Sequence, residues 1–331
     1  MSRSPGTRRF DERAAVALFT RVFAAGGPFR HGVSLGIGDD AAVLRWPGEK
    51  LVWTVDAQVE GTHFERAWLS LPDIGFRSFQ AAASDLAAMG AHPVAALSAL
   101  TLPRGFAARD LERLCSGQAA AARDCRCPVV GGNVARGGEL AIATTLIGRA
   151  RRPLTRSGAK PGDEVWLVGD VGLAAAGLAL LQRGTRRPRD RAAVRALEAF
   201  GRPRALLGRG VRLAELAHAA VDVSDGLATD AARLAEASGC RLVLEQAALG
   251  RALPKELVAL GERLDRPALE LALGGGEDYA LVATGAAARR PTWARRIGRC
   301  ERGRGAFFEP SQGTRRPLTG GFDHFTSPSR A

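Results

Sequence analysis

Between Arg77 and Arg104 the chain carries one formal charge, Asp85, set among alanines, Leu86 and Met89. Apolar periodicity predicts a helix over 75–89 that stops at Gly90, with Phe76, Phe79, Ala83 and Leu86 on one face. A segment this apolar belongs in a core, and a lone carboxylate there is costly unless it is paired or holds a metal. Any fold for this chain must therefore bury an acid and supply its partner. The same problem recurs elsewhere. Asp56 interrupts the strand-like run LVWTVDAQV, Asp222 sits inside the apolar AAVDV, and Asp225 lies in the turn VSDG that precedes a helical pattern.

Asp39 and Asp40 belong to GIGDDAAVL, residues 36–44, which has the G-x-G-x-x-A spacing of a dinucleotide loop. That reading needs a long helix directly after the glycines. Pro47-Gly48 and a second strand pattern arrive instead, so a Rossmann loop is excluded. A Walker A loop is excluded too, because none of the three lysines, Lys50, Lys160 and Lys255, follows a glycine.

The length of 331 residues favours two domains. The Arg/Pro-rich stretch 149–162 is the best boundary, dividing the chain into 1–150 and 151–331. The net charge of +13 invites a nucleic-acid reading, but only three of the 47 basic residues are lysine and no aromatics interleave with the arginine clusters. Anionic small molecules are the better match to that charge. Five irregularly spaced cysteines form no paired CxxC, and the N-terminal MSRSPGTRRF lacks a signal-peptide apolar core. No apolar run approaches the length needed to cross a bilayer. A cytoplasmic protein with reduced thiols and no membrane or nucleic-acid partner is expected.

Pattern reading predicts helices over about 11–25, 75–89, 106–123, 173–183, 203–217 and 226–238, the last closed by Gly239. It predicts strands near 41–46, 51–59, 94–102, 139–148, 163–168 and 219–223. Elements of both types alternate in both halves, which indicates an α/β (α+β) class.

Taken singly, each acid has a structural reading. Asp225 or Ser224 can cap a helix, Asp39 can form an Asx turn, and Asp85 can be a buried hydrogen-bonded acid. Taken together, carboxylates at turns and strand ends in a basic protein match what Mg²⁺ requires: oxygen ligands shared with substrate phosphates. Glycine turns beside them allow phosphates close to the backbone. The chemistry is that of a Mg²⁺–nucleotide site.

GIGDDAAVL, VDAQVEGTHF, SDLAAMGAHP, VVGGNVARG, LTRSGAKPGDEVWLVG, VDVSDGL, GGGEDY and GFDHF occur in the order found in thiamine-monophosphate kinases. The chain thus resembles that family, part of the aminoimidazole ribonucleotide synthetase-like ATP-binding superfamily, from about residue 10 to 326. The resemblance implies a two-domain fold. Its N-terminal sheet, carrying the ATP and metal sites, would pair with a second copy into a dimeric β-barrel, and the C-terminal α/β domain would complete an active-site cleft. The implied activity is ATP-dependent phosphorylation of thiamine monophosphate to thiamine diphosphate by a homodimer with several Mg²⁺ ions and no dedicated base. By similarity, Asp40, Thr54, Asp56, Asp85, Asp222 and Asp225 are metal-site residues, and Gly132, Arg156 and Ser224 are nucleotide-binding positions. His63, Glu277 and Phe322 match positions that hold thiamine phosphate. The resemblance also places Asn133 where the family's loop carries a metal-binding acid. The family's Gly-Gly-Asp-Thr is Gly131-Gly132-Asn133-Val134 here, its Ser-Thr-Asp-Thr is Thr54-Val55-Asp56-Ala57, and Glu-Asp-Tyr-Glu is Glu277-Asp278-Tyr279-Ala280. These departures keep two alternatives open: a related enzyme acting on another small molecule, or a nucleotide-binding protein without turnover.

Overall fold

A computed structural model describes residues 33–35 and 39–318. The expected helix over 11–25, the turn glycines Gly36 and Gly38, and Phe322 lie outside the described residues.

The first sheet contains β1 (Val33–Leu35), β2 (Ala42–Trp46), β3 (Glu49–Val59), β4 (His92–Leu102), β5 (Val129–Arg136) and β6 (Ala141–Ala150). Its order is β1-β2-β3-β6-β4-β5, and every neighbouring pair is antiparallel except β4 with β5. Along β3, Val52, Thr54 and Gln58 are buried while Trp53 and Val55 are exposed. One face of the sheet is therefore covered and the other open. The second sheet contains β7 (Glu164–Val168), β8 (Ala219–Val223), β9 (Arg241–Glu245), β10 (Ala280–Gly285), β11 (Arg295–Glu301), β12 (Gly305–Glu309) and β13 (Arg316–Pro317). Its order is β13-β12-β9-β11-β7-β10-β8, parallel only between β9 and β12. Edge strand β8 is buried throughout, which places Asp222 in the interior.

The first two helices are α1 (Leu71–Ala88) and α2 (Ala108–Asp124). From Ile74 to Ala88 every α1 residue except Asp85 is buried. Alanine, glycine and serine dominate it, so neighbours approach from several sides: α2, β3, β6 and, from the other sheet, β8. The helix begins four residues before the expected 75. Ser70 caps it, accepting from the Asp73 backbone N–H at 3.3 Å and donating to Asp73 Oδ2 at 2.7 Å, with Pro72 in the first turn.

Six further helices follow: α3 (Leu173–Gln182), α4 (Arg191–Gly201), α5 (Leu207–Leu216), α6 (Leu227–Ser238), α7 (Gln246–Ala252), α8 (Lys255–Leu264), with α9 (Ala268–Gly274) after them. The helix expected at 203 starts only at Leu207, because the Ala205 N–H is held by Gln80 Oε1 of α1 at 2.8 Å. α4, which pattern reading does not predict, follows the arginine-rich segment 186–189 and starts at its cap, Asp190, which accepts from the Ala193 N–H at 2.9 Å.

α1 and α2 cross in backbone contact. A Cβ on Gly75 would meet the Leu114 carbonyl oxygen, and one on Gly117 the Pro72 carbonyl oxygen. Because this crossing fixes where α1 presents Asp85, Gly117→Ala is expected to destabilise the fold by about 2 kcal/mol or more, measured as a lowered urea midpoint. An unchanged midpoint would show that the helices can separate without loss.

Candidate active site

Asp40, Asp85 and Asp222 reach one point from three directions: the turn before β2, the middle of α1, and β8 of the second sheet. One carboxylate oxygen from each lies within 4.8 Å of the others. At an effective dielectric of about 20, two unit charges at that distance repel by about 3 kcal/mol. Burial pushes the Asp85 carboxyl well above the usual range, and Asp222 and Asp40 add to the shift. Asp222 moves the same way through burial, then Asp40 and Asp230. The hydrogen bonds present only partly offset this: Thr54 Oγ1 donates to Asp85 Oδ2 at 2.5 Å, and Ser84 Oγ donates to Asp222 Oδ2 at 2.7 Å. Asp40 Oδ2 is buried with no hydrogen-bond partner. A hard divalent cation meets all three conditions at once, since it accepts carboxylate oxygens, neutralises their charge and satisfies the orphaned atom. The donor set fits Mg²⁺, with neither sulfur nor imidazole in it.

Arg156 closes one side of this cluster. Its Nη2 donates to Asp40 Oδ1 at 2.6 Å and its backbone N–H to Asp39 Oδ2 at 3.1 Å. Burial works against the cation, but Asp40, Asp222 and Asp39 hold its pKa above the ordinary value. Arg156 Nε is buried without a partner, a donor that an anionic oxygen would satisfy.

Beside the cluster a cleft of about 210 Å³ is lined by Asp56, Asp85, Asp222, Ser224 and Asp225 together with His63, Glu277 and Tyr279. Ser224 and Asp225 are held at the entry to α6 by a residue that sequence reading missed. Asp230, buried in the first turn of α6, accepts from the backbone N–H of Ser224 at 3.1 Å and of Asp225 at 3.0 Å. Burial, then Asp225, raise its carboxyl to about 7, against the pull of Arg233. The available signal was an acid facing inward with Leu227, Ala231 and Leu234. Arg233 bonds both Asp225 and Asp230.

Glu277 and Tyr279 have left-handed backbones, with φ of 66° and 50°. Non-glycine residues adopt that region only under constraint. The constraint is visible: Glu277 N–H donates to the Ser224 carbonyl at 2.7 Å and Tyr279 N–H to that of Val223 at 2.9 Å. His63 Nδ1 accepts from the Val59 N–H at 3.1 Å, which places the proton of a neutral ring on Nε2.

Two expected site residues do not join the acids within one chain. Asp56, Thr144, Ser98 and Gly132 form one row across β3, β6, β4 and β5. Three strand spacings separate Gly132 from Asp56, about 14 Å, and alternation turns Asn133 to the opposite face. Within the single chain Asn133 therefore stands apart from the Asp40, Asp85 and Asp222 cluster. Gly132 and Asn133 instead line an apolar groove with Ser98 and Gln118. Phe322 lies outside the described residues.

The arrangement matches proteins of known type. Residues 38–150 match the AIR synthase related protein N-terminal domain and residues 160–286 the corresponding C-terminal domain. Thiamine-monophosphate kinase of Aquifex aeolicus is 34% identical over 280 residues, covering 82% of this chain and 89% of that protein. The chain belongs to the thiamine-monophosphate kinase family. The family's Salmonella typhimurium member is 36% identical over 276 residues, covering 81% of each chain. A solved structure of AaThiL complexed with AMPPCP and TMP superposes with a TM-score of 0.85 and 29% identity, covering 98% of this chain and all of the other. The two-domain fold of AIR synthase related proteins is thus the fold of this chain.

Asp56 allows an electrostatic test. Burial raises its carboxyl to about 6, with Glu277 and Asp225 adding, while the Ala57 N–H and Arg77 oppose. A raised folded-state pKa stabilises the fold below the unfolded value, near 4, and that contribution is lost as pH rises through about 6. In EDTA, wild type is expected to lose about 2 kcal/mol more unfolding free energy than Asp56→Asn between about pH 4 and about pH 7. Parallel curves would show that Asp56 is solvated.

Proposed function

We propose that this protein transfers the γ-phosphoryl group of ATP to thiamine monophosphate, forming thiamine diphosphate and ADP. The observation that carries the reading is the joining of two chemistries at one place: a buried carboxylate cluster suited to Mg²⁺–ATP beside a cleft that Glu277 and His63 help to line. The similarity to a structure complexed with an ATP analogue and TMP supports the same assignment.

Asp40, Asp85 and Asp222, with Asp56 and Asp225 at the cleft, would hold Mg²⁺, which supplies charge neutralisation on the triphosphate and on the leaving group. Thr54 orients Asp85, and Arg156 places its unpaired Nε–H and its charge toward phosphate. Ser224, at the start of α6, offers a hydroxyl to the nucleotide. His63 and Glu277 hold the acceptor, with Phe322 assigned to the same task by the family resemblance. A terminal oxygen of the acceptor's phosphate forms the new bond to the γ-phosphorus while the β,γ-bridging P–O bond breaks, its electron pair leaving with ADP. That oxygen is already ionised near neutral pH, so no side chain needs to take its proton; positioning is the chain's contribution.

The homodimer is part of the proposal. β5 is an exposed edge strand, and Trp53, Val55, Leu97, Val130 and Val134 are exposed large apolar residues on or beside the open sheet. A second copy pairing there would bury them in a closed barrel and remove the edge. Gly132 and Asn133 would then sit at the subunit boundary, which is where any nucleotide or metal role for them would have to operate. Residues 1–150 would form the nucleotide, metal and dimerisation domain, and 151–331 the domain that completes the cleft. Among the described residues no helix is long and apolar enough to cross a membrane, and we assign the protein to the cytoplasm with its soluble substrates.

Purified protein with ATP, Mg²⁺ and thiamine monophosphate is expected to form thiamine diphosphate and ADP in equal amounts, and nothing in EDTA. Asp225→Asn is expected to lower turnover by about two orders of magnitude, with the melting temperature little changed. ADP formation only with another acceptor, or product formed without divalent metal, would reject the proposal.

A further inference from the structure

Arg77 is the one cation among the described residues with no solvent exposure (0%), and no role in nucleotide or metal binding accounts for it. Its guanidinium spends its donors on three separate elements. Nε donates to Gln58 Oε1 of β3 at 3.1 Å, Nη1 to the Phe200 carbonyl at the C-terminal end of α4, and Nη2 to Glu277 Oε1. The group also stacks over the Phe200 ring, 4.6 Å from its centre. A helix C-terminus and a carboxylate are the partners that repay a buried cation, and only a planar fork reaches them together.

The position of Arg77 along α1 gives this contact a functional meaning. Arg77, Ala81 and Asp85 follow one another at intervals of four on a single helix stripe, and Ala81 and Asp85 line the cleft. Eight residues of helix span about 12 Å. One rigid stripe thus carries the cation-cluster acid at one end and the guanidinium that grips Glu277 at the other. Glu277 stands on a left-handed backbone in a glycine-rich turn, a geometry that needs an outside anchor. Arg77 also opposes the negative charge of Asp56 and forms an ion pair with Glu277, so an acceptor bearing a phosphate meets a less repulsive lining.

We infer that Arg77 is a positioning residue for the phosphoryl acceptor: it orients Glu277 from α1 and sets the distance between acceptor and transferred group. This rests on the proposed function for its substrate, a phosphomonoester carrying a cationic ring. Arg77→Lys keeps the charge and loses the fork, so it is expected to raise the KM for thiamine monophosphate about tenfold while the KM for ATP moves less than about twofold. Arg77→Met removes the charge and can cost the fold itself, so it is measured in the Glu277→Gln background, where the buried carboxylate is neutral. There it is expected to add less than about twofold to the acceptor KM already raised by Glu277→Gln, because the two residues act through one contact. Equal effects of Arg77→Lys on both KM values, or a further rise of about tenfold in the acceptor KM when Arg77→Met is added to Glu277→Gln, would overturn the inference. Amide exchange of residues 276–279 supplies a readout independent of turnover. Exchange faster in Arg77→Lys than in wild type supports the positioning role, and unchanged exchange refutes it. Should wild type fail to use thiamine monophosphate, the proposed function falls, and amide exchange still decides whether Arg77 positions Glu277.

Discussion

Asp40, Asp85 and Asp222 place three carboxylate oxygens within 4.8 Å of one another in the interior. Three negative charges there repel one another, a divalent cation would relieve that repulsion, and much of the fold is arranged around that point. Asp40 stands at the start of the first sheet, Asp222 on the buried edge of the second, and Asp85 on the helix between them. Without a metal, the chain compromises: Thr54 and Ser84 each donate one hydrogen bond, Arg156 pairs with Asp40, and burial shifts the Asp85 and Asp222 carboxyls upward, toward their neutral forms. Stability given up at such a site is the usual consequence of preparing a protein to bind charge.

α1 makes the compromise possible. Its small residues let it lie against α2, both β3 and β6, and β8, so that one helix serves as the rigid reference for both halves of the molecule. The stripe through Arg77, Ala81 and Asp85 gives that reference two chemical ends. Under the proposed function, donor and acceptor would be spaced along this one element, which suits a reaction whose catalysis is mostly alignment.

Which parts of this were legible in the sequence follows from the range of each signal. The apolar run around Asp85 shows a buried helix and an acid needing a partner, because burial and charge are local properties. The start of that helix was displaced because Ser70 and Asp73, the capping pair, precede the apolar pattern. β5 carries glycines at 131 and 132 and has no alternation to read, so its place at the sheet edge emerges only from pairing with β4. That placement is also why Asn133 lies three strand spacings from Asp56. Asp230 and Arg77 escaped notice for a related reason: their partners, Ser224 and Glu277 among them, are identified by packing and not by spacing.

The central claim is that the Asp40–Asp85–Asp222 cluster exists to hold divalent cations. Its most direct test is the number of Mn²⁺ ions bound at about pH 8 in the presence of a non-hydrolysable ATP analogue, counted by electron paramagnetic resonance. Wild type is expected to hold tightly bound Mn²⁺, and the triple variant Asp40→Asn, Asp85→Asn, Asp222→Asn is expected to lose at least one ion while still melting cooperatively. A wild type that binds no Mn²⁺, or a folded triple variant that binds as many ions as wild type, would contradict the account.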